Sequence, residues 1–503
     1  MSENLYEILN SRFPENPDTP CLILPDGGEV SYGKLHRESA RYASLLVSLG
    51  AQPGDRVAVQ VRKSPQALFL YIGCLRAGAV YLPMNDAYQR HEIEYFLTDA
   101  TPRVFVCRPQ FRSLADELAV KAGVSHVLEL DDNGGGTLAG GAATQPDNFT
   151  TIARAGDDLA AILYTSGTTG RSKGAMLSHR NLASNAEALH RYWGFRPGDV
   201  LLHMLPIFHV HGLFVATHCI LMNGSPMLFE PRFDSKRALE LLPKATVFMG
   251  VPTYYVRLLL EPGLTRALCS NMRLFVSGSA PLLTETFDEF KARTGHTILE
   301  RYGMTEGNMF TSNPYDGERR GGTVGFPLPG VSIRIVDEEN HPVGIGNIGH
   351  LQVKGENVFR GYWQMPEKTR EEFTGDSYFK TGDMGKCDSD GYISIVGRSK
   401  DLIITGGLNV YPKEIEEMID AIPGVFESAV VGMPHPDFGE AVTAAVVRKN
   451  NEEGAALTEA GIISALKDAL ANFKVPKCVY FVDALPRNSM GKVQKNVLRQ
   501  HST

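Results

Sequence analysis

The stretch Thr165-Ser-Gly-Thr-Thr-Gly-Arg-Ser-Lys-Gly174 brings hydroxyls, glycines and a lysine together directly after the apolar run 159–164. Gly167, Gly170 and Gly174 free the backbone to curl, so successive N–H groups can point at one anion, while Thr165, Ser166, Thr168 and Thr169 add hydroxyl donors and Lys173 a charge. This is the chemistry of a phosphate cradle. It is not a Walker A loop, because Ser172 stands where the second glycine belongs and Gly174 where Ser or Thr would hold magnesium. A solvated turn between two strands has the same composition, so the loop needs support from the rest of the chain.

Three further stretches carry reactive side chains. Pro206-Ile-Phe-His-Val-His-Gly212 places His209 and His211 on the same side of an extended or turning backbone. Two imidazoles without a third ligand or a nearby acid fit pocket-lining groups better than a metal site. Ser277-Gly-Ser-Ala-Pro281 interrupts a strand with small residues, which lets a flat ring approach the backbone; a plain strand-to-helix turn is the alternative. Glu300-Arg-Tyr-Gly-Met-Thr-Glu306 packs ionisable, aromatic and hydroxyl groups around one glycine. If it is buried, Arg301 and Glu306 need partners.

The elements that must position these groups follow from periodicity. Residues 55–61 and 79–83 alternate as strands around a helical pattern at 65–77, and the next unit repeats this with a helix at 92–97 and a strand at 104–107. Such alternation predicts α/β architecture with a mainly parallel, doubly wound sheet. Residues 131–145, rich in Gly and Ala, read as a surface excursion. After the loop, a helix at 179–193 and strands near 200–204, 227–229, 247–251 and 273–277 form a second set. Past Gly325 short alternating strands at 331–336, 349–354, 378–383 and 392–396 predict a small antiparallel barrel or sheet. A compact α+β unit follows, with strands at 428–432, 441–447 and 478–482 and a helix at 458–471. The boundary between a large domain, 1–398, and a small one, 399–503, falls near Arg398 to Lys400.

At 503 residues the chain is too long for one core, and 43% hydrophobic with 21% charged residues is ordinary for a globular protein. A net charge of −7 offers no basic field for nucleic acid. The seven cysteines are scattered without a C-x-x-C pair, which suggests neither a disulfide framework nor a zinc ribbon. An acidic start without an apolar core, and no apolar run near about 18 residues, point to a cytoplasmic protein with no membrane partner.

The phosphate loop, Tyr302-Gly-Met-Thr-Glu306, Thr381-Gly-Asp383, Gly397-Arg398 and Pro486-Arg-Asn-Ser-Met-Gly-Lys492 stand in the order and approximate spacing of the acyl-adenylate-forming superfamily. The sequence resembles acyl-CoA synthetases over essentially its whole length. Within them it looks most like the malonyl-CoA synthetase type, through 205–212, 299–306 and 410–416. The resemblance implies ATP, Mg2+ and coenzyme A as co-substrates and an acyl-AMP intermediate. By resemblance, Thr165 to Lys173 hold the β- and γ-phosphates, Thr305 the α-phosphate, and Glu306, with Thr165, the magnesium. Tyr302, Gly303 and the backbone of Gly278, Ser279 and Ala280 would enclose adenine. Asp383, an acceptor-only carboxylate, suits the ribose hydroxyls, with the Arg398 fork beside it. Lys492 takes the place of the catalytic lysine on a small domain that rotates about a hinge at Lys400, where many relatives carry Asp. The rotation would present Gly406, Gly407 and Lys413 to coenzyme A, with His209 as the gate of a narrow tunnel.

Substrate choice rests on charge. His209, His211, Arg232 and Arg301 are expected near the acyl pocket, and a buried cation needs an anion, so a short dicarboxylate fits best. Arg301 is the candidate for its distal carboxylate, with a structural pair to Glu300 or another acid as the alternative. Gly307 departs from the polar residue expected after Glu306 and would enlarge the pocket enough for methylmalonate. Lys492 is also a candidate target of a protein acetyltransferase. Other readings are ligation of another short or aryl acid, loading of a carrier protein, a luciferase-type oxygenase and a nucleotide sensor without catalysis. No carrier-like segment with an Asp-Ser attachment site follows the small domain, a short polar pocket suits no bulky luciferin, and a sensor gives no reason to keep Glu306, Asp383, Arg398 and Lys492 together.

Overall fold

A computed structural model describes residues 2–165, 172–405, 408–436, 439–467, 470–488 and 491–500. Two sheets carry the parallel architecture, one for each set of strand and helix units. The first runs in the order His126–Glu129, Val104–Cys107, Arg56–Gln60, Val80–Pro83, Leu159–Thr165 and Lys173–Ser178, parallel except for its last pair. The second has nine strands with a parallel centre, in which Leu299–Met304, Leu274–Ser277, Val247–Gly250, Leu201–His203 and Met227–Phe229 lie side by side. Pro20–Ile23 joins Met227–Phe229, so the start of the chain closes the far side of the second sheet.

Local chemistry explains the elements. Pro65 opens the helix Pro65–Arg76 at a position with no N–H to lose, and Ser64 caps it by accepting the Ala67 N–H at 3.2 Å. Its side chains are buried on nearly every face, as a helix packed between layers requires. The helix His179–Tyr192 begins directly after the first sheet's last strand. Ser178 and Asn181 cap each other reciprocally there, an arrangement typically worth about 1 kcal/mol.

The excursion at 131–145 lies mostly at the surface but carries a helix that the sequence reading did not foresee. Thr137–Ala143 is helical, and Leu138 and Ala142, four residues apart, are buried on one face. Two small apolar contacts were enough to dock it. The strands Val331–Val336, Gly349–Gly355, Phe379–Cys387 and Ile393–Arg398 form a four-stranded antiparallel sheet. Beyond them, Ile403–Thr405, Leu408–Val410, Val425–His435, Gly439–Arg448 and Cys478–Phe481 build a five-stranded sheet. Its cores draw only on residues from Ile403 onward. Among the described residues, no helix is long and apolar enough to cross a membrane.

Candidate active site

The glycine- and hydroxyl-rich loop springs from a tight hairpin. Leu159–Thr165 pairs antiparallel with Lys173–Ser178, and Thr165 stands opposite Lys173, its hydroxyl 3.4 Å from the Lys173 carbonyl. Ser166, Gly167, Thr168, Thr169 and Gly170 lie outside the described residues. At the hairpin's edge the Lys173 ammonium is 3.5 Å from Glu372 and 4.2 Å from the centroid of the Tyr362 ring. The Tyr362 hydroxyl donates to Glu306 Oε1 at 2.9 Å, which ties the loop to the second motif.

That motif is a second hairpin. Leu299–Met304 and Asn308–Ser312 pair antiparallel around the turn Thr305-Glu306-Gly307, with an irregularity at Tyr302 and Gly303. A Cβ on Gly303 would lie 1.8 Å from the Asn308 carbonyl, so the hairpin can close only on a glycine there. Glu306 is buried at the turn, and desolvation raises its carboxyl above the ordinary range, against the pull of the Tyr362 hydroxyl and the charges of Arg398 and Lys173. A desolvated lone carboxylate of this kind suits Mg2+, which takes one or two protein oxygens and fills its shell with water and phosphate.

Strand alternation sends neighbouring side chains to opposite faces. The Tyr302 hydroxyl donates to one Asp383 oxygen, and Arg398 Nε holds the other at 2.7 Å. Asp383 and Arg398 are direct partners across the antiparallel sheet, so register alone brings them together. Each Asp383 oxygen thereby has one partner and keeps a further lone pair to accept from a ligand.

Arg301 is the opposite case. It is 3% exposed, and its Nε and Nη2 have no hydrogen-bond partner. Neither Glu300 nor any other acid forms an ion pair with it among the described residues. Glu300 instead accepts the Leu282 N–H at 3.0 Å, and burial pushes its carboxyl up to about 7. Burial likewise lowers the Arg301 guanidinium to about 9. His209 and His211 stand close by. Desolvation, with Lys492 and Arg301 adding repulsion, lowers His209 to about 3, and His211 is depressed by burial and Arg301. Both rings are neutral at physiological pH. His211 Nδ1 lies 3.3 Å from Ser279 Oγ, and Ser279 holds a left-handed backbone with φ of 74°.

The fold gives Gly278, Gly307 and Arg232 surroundings that the sequence did not show. A Cβ on Gly278 would lie 2.5 Å from the Arg301 guanidinium, so its missing side chain makes room for Arg301. A Cβ on Gly307 would lie 2.2 Å from the Phe310 ring, so the space that the sequence suggested for a larger substrate is filled from within. Arg232 is exposed in the loop after Met227–Phe229, next to Pro231, and is not part of the buried cluster.

Lys492 comes from the small domain. Its backbone is held by Asn488, with the Lys492 N–H 3.0 Å from Asn488 Oδ1, and Gly491 beside it rests against Thr253 of the large domain. The side chain keeps solvent exposure and is near enough to the large domain to feel its charges: desolvation and Arg398 lower its pKa while Asp383 and Glu306 oppose them. One domain thus delivers its lysine to the charges of the other. Lys413, at the start of the helix Pro412–Asp420, lies close enough to Glu300 to draw its carboxyl down. Lys400 is exposed in the short turn Ser399–Asp401, and Gly406 and Gly407 lie outside the described residues.

The chain matches the family model of AMP-binding enzymes over residues 10–363 and that of the AMP-binding enzyme C-terminal domain over 414–492. The chain belongs to the AMP-binding enzyme family. Malonate–CoA ligase of Arabidopsis thaliana is 34% identical over 99% of this chain and 89% of its own. A long-chain-fatty-acid–CoA ligase of Yersinia pestis is 33% identical over 99% of this chain and 94% of its own. Crystal structures of MatB from Rhodopseudomonas palustris are 55% identical and cover 99% of both chains, with TM-scores of 0.97 for the ATP-bound form and 0.87 for the apo form. At equal identity, this AMP-binding enzyme is more similar in structure to the ATP-bound form than to the apo form. It is an acid–thiol ligase of the AMP-forming acyl-CoA synthetase type.

Sequence reasoning missed Tyr362, Glu372 and Thr253. Tyr362 is 56 residues from Glu306 and sits in no recognisable motif.

Proposed function

We propose that the enzyme ligates malonate to coenzyme A through malonyl-AMP, with release of AMP and pyrophosphate. One observation carries the choice of acid: Arg301 is a buried cation with two nitrogens unpaired, and a distal carboxylate would supply the missing acceptors. Two neutral histidines beside it add no competing charge. A fatty acid would bring only hydrocarbon to this cation, which strengthens neither.

In the first step a malonate oxygen attacks the α-phosphorus of ATP and the bond to pyrophosphate breaks. Arg301 holds the far carboxylate, which fixes the near one in line. Lys492 lies between the attacking oxygen and the α-phosphate and neutralises the charge that gathers there. Thr305 donates to the α-phosphate, Asp383 accepts from the ribose hydroxyls, and Tyr302 flanks adenine. Bound by Glu306, with Thr165 nearby, Mg2+ would neutralise the departing pyrophosphate. In the second step the coenzyme A thiolate attacks the acyl carbon and AMP leaves. Lys492 must withdraw to admit the thiol, so residues 399–503 rotate about Lys400 and bring Gly406, Gly407 and Lys413 toward coenzyme A, with His209 at the inner end of its path. Acetylation of Lys492 by a protein acetyltransferase would remove the same charge and stop the first step.

The test is ATP- and coenzyme A-dependent AMP release across acetate, butyrate, malonate, methylmalonate, succinate and octanoate. Malonate gives the highest kcat/KM. A higher value for acetate or octanoate would overturn the reading.

A further inference from the structure

Lys63 and His203 form a polar cluster that none of these steps uses. Lys63 follows the first-sheet strand Arg56–Gln60, and His203 ends the second-sheet strand Leu201–His203, so their contact bridges the two sheets. Lys63 Nζ donates to the His203 carbonyl at 2.8 Å, lies 2.8 Å from His203 Nδ1, and is 4.3 Å from the centroid of the Phe229 ring. Burial lowers the Lys63 pKa well below its ordinary value, but the Gly212 carbonyl beside Nε2 can only accept, so the ring proton sits on Nε2 and Nδ1 is left to accept from Lys63. That N–H reaches the Gly212 carbonyl at 3.0 Å. The Thr217 hydroxyl, at 2.9 Å, and the Thr217 backbone N–H donate to the same oxygen.

The last of these bonds spans five residues and defines a π-helical turn over His211–Ala216, a geometry rarely held without a specific cause. Three donors converging on one carbonyl provide the cause. The turn begins at His211, whose N–H lies 3.3 Å from His209 Nδ1 and whose own Nδ1 faces Ser279. Gly212 is packed so closely that a Cβ would lie 2.0 Å from the Pro206 carbonyl. Relaxing the turn to α-helical register would swing His211 about 100° around the axis, away from the Arg301 cluster.

We propose that Lys63 and His203 are positioning residues for the acid pocket: Lys63 holds the His203 ring, and His203 locks the π-turn that holds His209 and His211 beside Arg301. The inference rests on the reading that this cluster receives the acid.

The experiment measures KM for the acid and for ATP separately, using whichever acid of the panel the unaltered enzyme turns over best. Failure of the malonate reading therefore appears in the unaltered enzyme and leaves this test intact. Lys63→Met raises KM for the acid about tenfold and leaves that for ATP within about twofold, because it loosens the pocket without touching the nucleotide. His203→Leu does the same. His203→Gln keeps an amide N–H for Gly212 and stays within about threefold of the unaltered enzyme. Near-ultraviolet circular dichroism and Tm establish that each variant is folded, and if Lys63→Met is not, the two His203 variants decide. Equal changes in both KM values, no change in either, or a Gln variant no better than the Leu variant would overturn the proposal.

Discussion

The two halves of the cleft treat charge in opposite ways. On the proposed nucleotide side three described charges have partners supplied by the chain: Asp383 by Tyr302 and Arg398, Glu306 by Tyr362, Lys173 by Glu372. On the acid side Arg301 is buried bare. A nucleotide brings its own phosphates and cation, so its site can be satisfied while empty. Under the proposed reading the acid side is completed by an anion, since a buried unpaired cation is costly without one.

The largest expected effect concerns the group that joins the halves. Lys492→Ala should lower pyrophosphate release from ATP and malonate by about 10² to 10³, the range for removing a well-placed charge from a water-excluding site. The same variant, given synthetic malonyl-AMP and coenzyme A, should form thioester at a near-normal rate. Comparable loss of both half-reactions would make Lys492 a general phosphate contact.

Gly307→Ala sharpens the boundary of the acid side. The added methyl meets the Phe310 ring and not the substrate, so it should cost about 1 to 3 kcal/mol of stability in chemical denaturation. The ratio of methylmalonate to malonate turnover should stay unchanged; a shift in that ratio would return Gly307 to the pocket wall.

The smallest effect contrasts a structural histidine with those of the pocket. His179 Nδ1 accepts the Leu5 N–H at 3.0 Å, and burial lowers its pKa to about 4. Its folded value lies below its unfolded one, so the unfolded chain takes up the proton first as pH falls. Stability should therefore be lost between about pH 6.5 and 4, by up to about 1.4 kcal/mol per pH unit. His179→Asn, which keeps an acceptor for Leu5, should flatten that limb by up to one proton and change nothing above pH 7. An unchanged slope would mean that His179 charges in the folded state.

Much of the fold was legible because the sequence pattern is local. The alternation at 55–61, 65–77 and 79–83 gave strand, helix and strand within a residue or two, and the antiparallel strands after Gly325 followed from period-two patterning. The order of strands within each sheet was not legible, since periodicity says nothing of which strand lies beside which. At the site, spacing singled out the motif residues and said nothing of their surroundings. Gly278 and Gly307 announced absent side chains, but only the fold shows that Arg301 and Phe310 fill the gaps. Arg232 has the right charge and the wrong exposure. Tyr362 and Lys63 act across 56 and 140 residues, a separation at which spacing carries no information.

The most direct measurement is the kcat/KM of the unaltered enzyme and of Arg301→Ala for malonate and for butyrate, at fixed ATP and coenzyme A. Loss of the cation leaves a distal carboxylate desolvated without a partner, a penalty of about 2 to 5 kcal/mol, so malonate turnover should fall steeply while KM for ATP holds and the ratio of butyrate to malonate rises. An equal fall for both acids, with KM for ATP rising alongside, would contradict the account and make Arg301 part of the scaffold.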